Sequence, residues 1–230
     1  SETVMYFAAG APASPPVTSK IDKLVYATDT TSTLPGTIPA PSSQGTMGGN
    51  KGLFGTNTHG YFAGGSTWPS NTILNRVWKI PFSNESISTT SGMPDNLVGT
   101  IAVSSKTHAY LGTGYNPSGN RSYIKKFDYS SESWVDSFNG NNGFSDVRGG
   151  SSTSSPSAGV FVGGNYNYTW KMPFSNDTAN RLPGSNYPLS EVNSQGAAGN
   201  TTHGYHGGGG GGPAGFRSSL FKYNYTTDGW

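Results

Sequence analysis

The stretch Thr58-His-Gly-Tyr-Phe-Ala-Gly-Gly65, followed after a short spacer by Lys79-Ile-Pro-Phe82, decides the fold of this chain. Neither half carries helical periodicity. Each is a short apolar run closed by turn residues, the pattern of strands in a small antiparallel sheet. The second half recurs as Lys23-Leu-Val-Tyr26, Lys126-Phe-Asp-Tyr129, Lys171-Met-Pro-Phe174 and Lys222-Tyr-Asn-Tyr225. The aromatic positions lie 56, 47, 45 and 51 residues apart. A self-similar unit near fifty residues marks a repeat protein built of small sheets. Residues that recur at equivalent points of a repeat build scaffold more often than active sites, which weighs against an enzyme.

The first half recurs too, as Met5-Tyr-Phe-Ala-Ala-Gly10, Ala109-Tyr-Leu-Gly-Thr-Gly114, Val160-Phe-Val-Gly-Gly164 and Gly204-Tyr-His-Gly-Gly208. Small-residue stretches precede these strands, as in Gly99-Thr-Ile-Ala-Val-Ser-Ser105. Polar turns follow the lysine runs: Ser83-Asn-Glu85, Ser130-Ser-Glu132, Ser175-Asn-Asp177 and Thr226-Thr-Asp228. A fourth short segment then appears, for example Ser133-Trp-Val135. Four strands separated by turns make one propeller blade. The expected fold is therefore all-β: a β-propeller of about five four-stranded antiparallel blades, or five blades of a larger one. It is expected as a single domain over 1–230, with repeats at approximately 1–43, 44–92, 93–142, 143–190 and 191–230.

Strands nearest a propeller axis need small residues so that backbones can approach closely. Glycine doublets permit the positive φ of a tight exit turn. Alternation in the lysine strand puts Leu24, Ile80, Phe127, Met172 and Tyr223 on the face of the terminal aromatics, with the lysines opposite. Aromatic rings are expected between adjacent blades. Lysine stems are expected part-buried, their ammonium groups reaching solvent or strand-end carbonyls.

The glycine-doublet strand followed by an aromatic-ended strand resembles the kelch-type propeller blade. The fuller wording from Thr58 to Glu85 is similar to repeats of predicted tail-fibre and structural proteins of marine bacteriophages, and residues 169–178 and 202–228 share it. The resemblance implies a virion structural or tail-fibre module at the virion surface or otherwise extracellular. Its implied partners are a host cell-surface glycan or receptor and other virion or fibre proteins. The regular tyrosine and tryptophan pair beyond the glycines of a kelch blade is missing, so a kelch partner-binding role is not carried over. Five units of fifty residues need roughly 250, and the chain has 230. It is expected to be a piece of a longer fibre protein.

Composition bounds the alternatives. Charged residues make up 11% of the chain, against roughly 25% in ordinary soluble domains, while 13% aromatics argue for a folded chain. A net charge of +2 without a basic cluster leaves no footprint for nucleic acid. No apolar run approaches the ~18 residues of a membrane span, and the absence of cysteine excludes thiolate metal sites and disulfide scaffolds.

No residue set reads as a cofactor, metal or catalytic site. His59, His108 and His203 recur at equivalent points, which sets them on a ring too wide for zinc bonds of ~2 Å, so each Thr-His pair is read as satisfying backbone at a strand entrance. The six glycines 207–212 lack the following Lys-Ser/Thr or helix of a phosphate loop. The acids Asp22, Glu85, Asp128, Glu132 and Asp177 fall mostly in turns, where they normally solvate or cap.

Three function classes remain: a virion structural or receptor-binding module, a carbohydrate-binding propeller lectin, and a propeller glycan lyase or hydrolase. Ligand contact is expected at the turns leaving the glycine-paired strands, which differ most between repeats. These turns carry Trp68 with Asn71, Tyr115 with Asn116, Tyr166 with Asn165 and Asn167, and the glycine run with Phe216. A flat ring beside an amide is the pairing a sugar needs, ring against its C–H face and amide against its hydroxyls.

Overall fold

The computed structural model describes residues 4–10, 18–38, 46–48, 52–68, 72–135, 149–163, 166–189, 195–210, 215–216 and 218–230. Every regular element among them is a strand, and every strand pairing is antiparallel. The chain forms two compact units, Ser1–Val98 and Gly99–Trp230.

The first unit holds β1 (Val4–Gly10), β2 (Thr18–Val25), β3 (Thr30–Thr37), β4 (Thr46–Gly48), β5 (Gly52–Gly55), β6 (His59–Ala63), β7 (Ser66–Trp68), β8 (Val77–Pro81) and β9 (Ser88–Thr89). Strands β1-β2-β3 form one sheet and β5-β6-β8-β9 another, with β4 and β7 paired as a separate ribbon. In β8 the alternation works as the sequence predicts: Val77, Trp78 and Ile80 are buried and Lys79 is half-buried. Ile21, Leu34 and Ile38 of the first repeat pack with Phe62, Leu74, Trp78 and Ile80 of the second. The exit turn of β6 needs glycine at Gly64, where φ is 73° and a Cβ would stand 2.4 Å from the Leu97 carbonyl oxygen.

The second unit holds β10 (Ile101–Ser104), β11 (His108–Asn116), β12 (Gly119–Asp128), β13 (Ser133–Trp134), β14 (Ser151–Ser154), β15 (Ala158–Val162), β16 (Thr169–Pro173), β17 (Asn180–Arg181), β18 (Gly196–Gly199), β19 (His203–Gly207) and β20 (Leu220–Asn224). Its sheets run β10-β11-β12-β13, β14-β15-β16-β17 and β18-β19-β20. The inner strands β10, β14 and β18 neighbour one another in sequence order, as blades of a β-propeller do. Small hydroxyl residues make that approach possible: Ser152 Oγ donates to the Ala102 carbonyl at 2.7 Å, and Ser154 Oγ accepts from the Ser104 amide at 2.9 Å. Gly159 is a second close approach, since a Cβ there would fall 2.3 Å from a Val103 methyl.

The propeller-type, all-β class is as the sequence predicts. Among the described residues the expected four strands are found in three sheets, against the five full blades anticipated. The first and last sheets have three strands each among the described residues. In the last, a single bridge between Asn224 and Gly229 stands where the outer strand would lie.

Candidate functional site

The turns from the glycine-paired strand to the lysine strand were the expected ligand face. In the second unit, Tyr115 and Asn116 end β11 and face Asn120 and Gly119 across a tight hairpin. Asn116 is buried, and its side-chain oxygen accepts from the Ser118 amide at 2.9 Å. It holds the turn rather than reaching outward, because a buried amide is satisfied locally. Tyr115 is half-buried.

The turn after β15 differs. Tyr166 is 46% exposed and stacks on Tyr168, ring centres 5.1 Å apart and planes 11° from parallel. Tyr168 packs against the core formed by Ile101, Phe161, Trp170 and Met172, so it anchors the pair. The Arg181 guanidinium lies 3.5 Å from the Tyr168 ring centre, a cation–π contact that fixes a cationic edge beside the rings. Neither Tyr168 nor Arg181 stood out in the sequence, and the i, i+2 tyrosine spacing entering a strand was the signal available. Asn167 gives its carbonyl oxygen to the Tyr187 amide at 2.7 Å. Phe216 is 95% exposed and bridges to Gly210. Trp68 ends β7 in the first unit. Asn71, Asn165 and the glycines 211–212 lie outside the described residues.

The lysines and turn acids form a second constellation, and here the structure corrects the expectation. Lys23 Nζ donates to Glu85 Oε1 at 2.5 Å, Lys126 to Asp177 Oδ2 at 2.5 Å, and Lys171 to Asp228 Oδ1 at 2.6 Å. In each pair the acid belongs to the following repeat, so Glu85 and Asp177 do not merely solvate or cap, whereas Asp128 does cap its own turn, accepting from the Ser130 and Ser131 amides at 2.7 and 3.0 Å. Lys171 also reaches the Tyr225 carbonyl at 3.1 Å, a contact of the expected strand-end kind. Asp29, Glu85, Glu132, Asp177 and Asp228 sit at one equivalent point of the five turns, and all five have φ between 50° and 57°. Left-handed backbone is unfavourable for side chains other than Gly, Asn and Asp, so of the five only Glu85 and Glu132 are strained by it.

A tyrosine joins each pair. Tyr6 faces Lys23 across β1 and β2, and its hydroxyl donates to Glu85 at 2.8 Å. Tyr110 faces Lys126 and donates to Asp177 at 2.5 Å. Tyr6 stacks on Phe82, and Tyr110 on Phe174, at 5.3 and 5.4 Å, which are the expected rings between adjacent blades. Opposite Lys171 stands Val160, and there the hydroxyl comes from the other side: Tyr223 donates to Asp228 at 2.8 Å. Burial and then the acid push all three tyrosine hydroxyls well above their ordinary range. The hydrogen bond from Lys23 holds the Glu85 carboxyl below the usual carboxylate range.

The histidines are structural. Thr58, Thr107 and Thr202 each place Oγ1 at 2.8–2.9 Å from Nδ1 of the next residue's imidazole. The backbone amides at these strand entrances are instead satisfied by Thr56, Ser105 and Asn200. His206, by contrast, is fully buried between Ser151 (Nδ1, 2.8 Å) and Thr153 (Nε2, 3.1 Å), and burial holds its pKa down at about 3. A neutral imidazole bonded to two hydroxyls with no access for substrate is a core group. Among the described residues no cluster of three or more metal-binding side chains occurs. An open depression lies between Leu182–Asn186 and Thr227–Trp230.

Neither protein-family models nor curated proteins gave a match to this chain. The β-propeller arrangement stands on the strands themselves; the kelch and phage-fibre likeness stands on the repeat wording alone.

Proposed function

We propose that this chain is a non-enzymatic, surface-displayed attachment module, a virion or tail-fibre type component that holds a host-surface glycan. The observation that carries the reading is the stack of Tyr166 on Tyr168 with Arg181 beside it. Tyr168 is pinned to the core, Tyr166 offers an open ring face, and Arg181 offers fixed donors. Ring face plus fixed donors is the chemistry by which a sugar is held, and the cation favours glycans that carry carboxylate or sulfate. The scaffold beneath is rigid and repeated, as a display element requires. Glu85, Asp177 and Asp228 are each engaged by a lysine and a tyrosine, which favours a binding module over a glycan hydrolase. The viral setting, with host glycan and other fibre proteins as partners, rests on the repeat wording from Thr58 to Glu85.

A glycan array probed with the wild-type chain tests the reading. Binding to a defined class, lost in Tyr166→Ala and Arg181→Gln while the circular dichroism spectrum is unchanged, is the expected result. Binding that survives both substitutions removes this face, and release of reducing ends from any bound glycan would make the chain an enzyme.

A further inference from the structure

We propose, on the glycan reading above, that the ligand is an anionic oligosaccharide whose carboxylate or sulfate is carried by a different unit from the sugar that stacks on Tyr166. The Arg181 guanidinium lies over the Tyr168 ring, 3.5 Å from its centre, and the Tyr166 ring lies parallel to Tyr168 within 11° at 5.1 Å. On a shared face of Tyr168 the guanidinium and the Tyr166 ring would stand about 4 Å apart in one layer, closer than two planar groups in van der Waals contact can pack. They therefore occupy opposite faces, and the stack runs Arg181, Tyr168, Tyr166. The sheet agrees with that order. Arg181 belongs to the outermost strand, β17, Tyr168 enters β16, and Tyr166 lies in the turn from β15. Tyr168, packed against Ile101, Phe161, Trp170 and Met172, fixes the spacing between the cation and the open ring.

That spacing decides what can touch both. A sugar on the open face of Tyr166 stands three stacking contacts of ~3.5 Å from the guanidinium, about 10 Å in all. Its own carboxylate or sulfate oxygens lie only a few bonds of ~1.5 Å from its ring. They fall short of a guanidinium N–H, which needs an oxygen at ~2.7–2.9 Å. A single unit therefore uses the ring or the cation, whereas a chain charged beyond the stacked unit uses both. Arg181 is exposed, and among the described residues no carboxylate lies within ion-pair distance of it. A guanidinium laid flat on a ring keeps its N–H edge open to a planar or tetrahedral anion.

Titration calorimetry with galacturonate, graded oligogalacturonates, sulfated galactan fragments and uncharged galactan fragments tests this. The two charged series show which anion is preferred. In at least one of them, the longer fragments are expected to bind about tenfold or more tightly than the single unit, because a charge-assisted bond is added to the stack. They are also expected to bind more tightly than uncharged fragments of equal length. Arg181→Gln should bring charged fragments down to the affinity of uncharged ones, and Tyr166→Ala should weaken both. A single charged unit that binds as tightly as its oligomers overturns the proposal and leaves the glycan reading standing. Charged fragments that bind no better than uncharged ones do the same. If no fragment binds, the proposal falls, and the glycan reading falls with it only if the array shows no binding either.

Discussion

Two junctions in the second unit join sheets of the same plan with different chemistry. Between β10–β13 and β14–β17 the core is Ile101, Val103, Tyr110, Ile124, Phe161, Trp170 and Met172. Between β14–β17 and β18–β20 it is Val160, Val162, Tyr187, Tyr223 and Tyr225, with Trp230 and Phe221 packed alongside. Phe161 and His206 occupy equivalent points of their strands. The first junction fills that point with hydrocarbon. The second fills it with an imidazole bonded to Ser151 and Thr153, and Trp230 Nε1 donates to Thr169 at 2.9 Å. Both junctions keep a lysine, an acid and a tyrosine hydroxyl, although the tyrosine comes from the leading sheet in one and the following sheet in the other. The repeat thus conserves the polar contact at its rim and leaves the interior free to vary.

Truncating the hydrocarbon junction should have the largest effect. Phe161→Ala removes a fully buried ring and should cost ~3–5 kcal/mol, read as a fall in the midpoint of denaturant unfolding. A loss below ~1 kcal/mol would mean that the junction is not packed as described.

Acid should then separate the two junctions. His206 is held neutral in the folded chain down to a pKa of about 3, whereas an unfolded imidazole takes its proton near pH ~6.5. Between these values the unfolded state binds more protons, so stability rises with pH and falls on acidification. Each pH unit in that window is worth up to ~1.4 kcal/mol. Glu85, whose carboxyl is also lowered, loses its stabilising contact in the same direction but only at lower pH. Urea midpoints at pH 7 and pH 5 should therefore differ in the wild type and converge in His206→Phe. Equal slopes in the two would remove the histidine from the account.

The tyrosine hydroxyls should give the smaller and more even effect. Tyr110→Phe and Tyr223→Phe should each cost ~1 kcal/mol, because each removes one donor from a lysine-paired acid at an otherwise unchanged ring. A marked difference between the two would show that the side supplying the hydroxyl matters.

The sheets were legible because they repeat. Five lysine–aromatic runs and five glycine-ended runs fix strand, turn and period, and burial in β8 and β16 follows the predicted alternation. The lysine-to-acid contacts were not legible, because the partners stand 62, 51 and 57 residues apart and each acid looks like an ordinary turn residue beside its own strand. One local sign existed: Glu85 and Glu132 occupy a turn position where glycine or asparagine is less strained. Of the expected ligand residues, Tyr166 is open and stacked while Asn116 serves its own turn, a distinction that depends on burial and is invisible in the letters.

The claim that successive repeats are fastened by a lysine and the next repeat's acid is tested most directly by a double-mutant cycle on Lys126 and Asp177. Their side chains are 15% and 27% exposed, so the pair is only partly screened by solvent. Unfolding of the wild type, Lys126→Met, Asp177→Asn and the double variant should give a coupling of ~0.5–1.5 kcal/mol. Single losses that simply add, within ~0.3 kcal/mol, would contradict it.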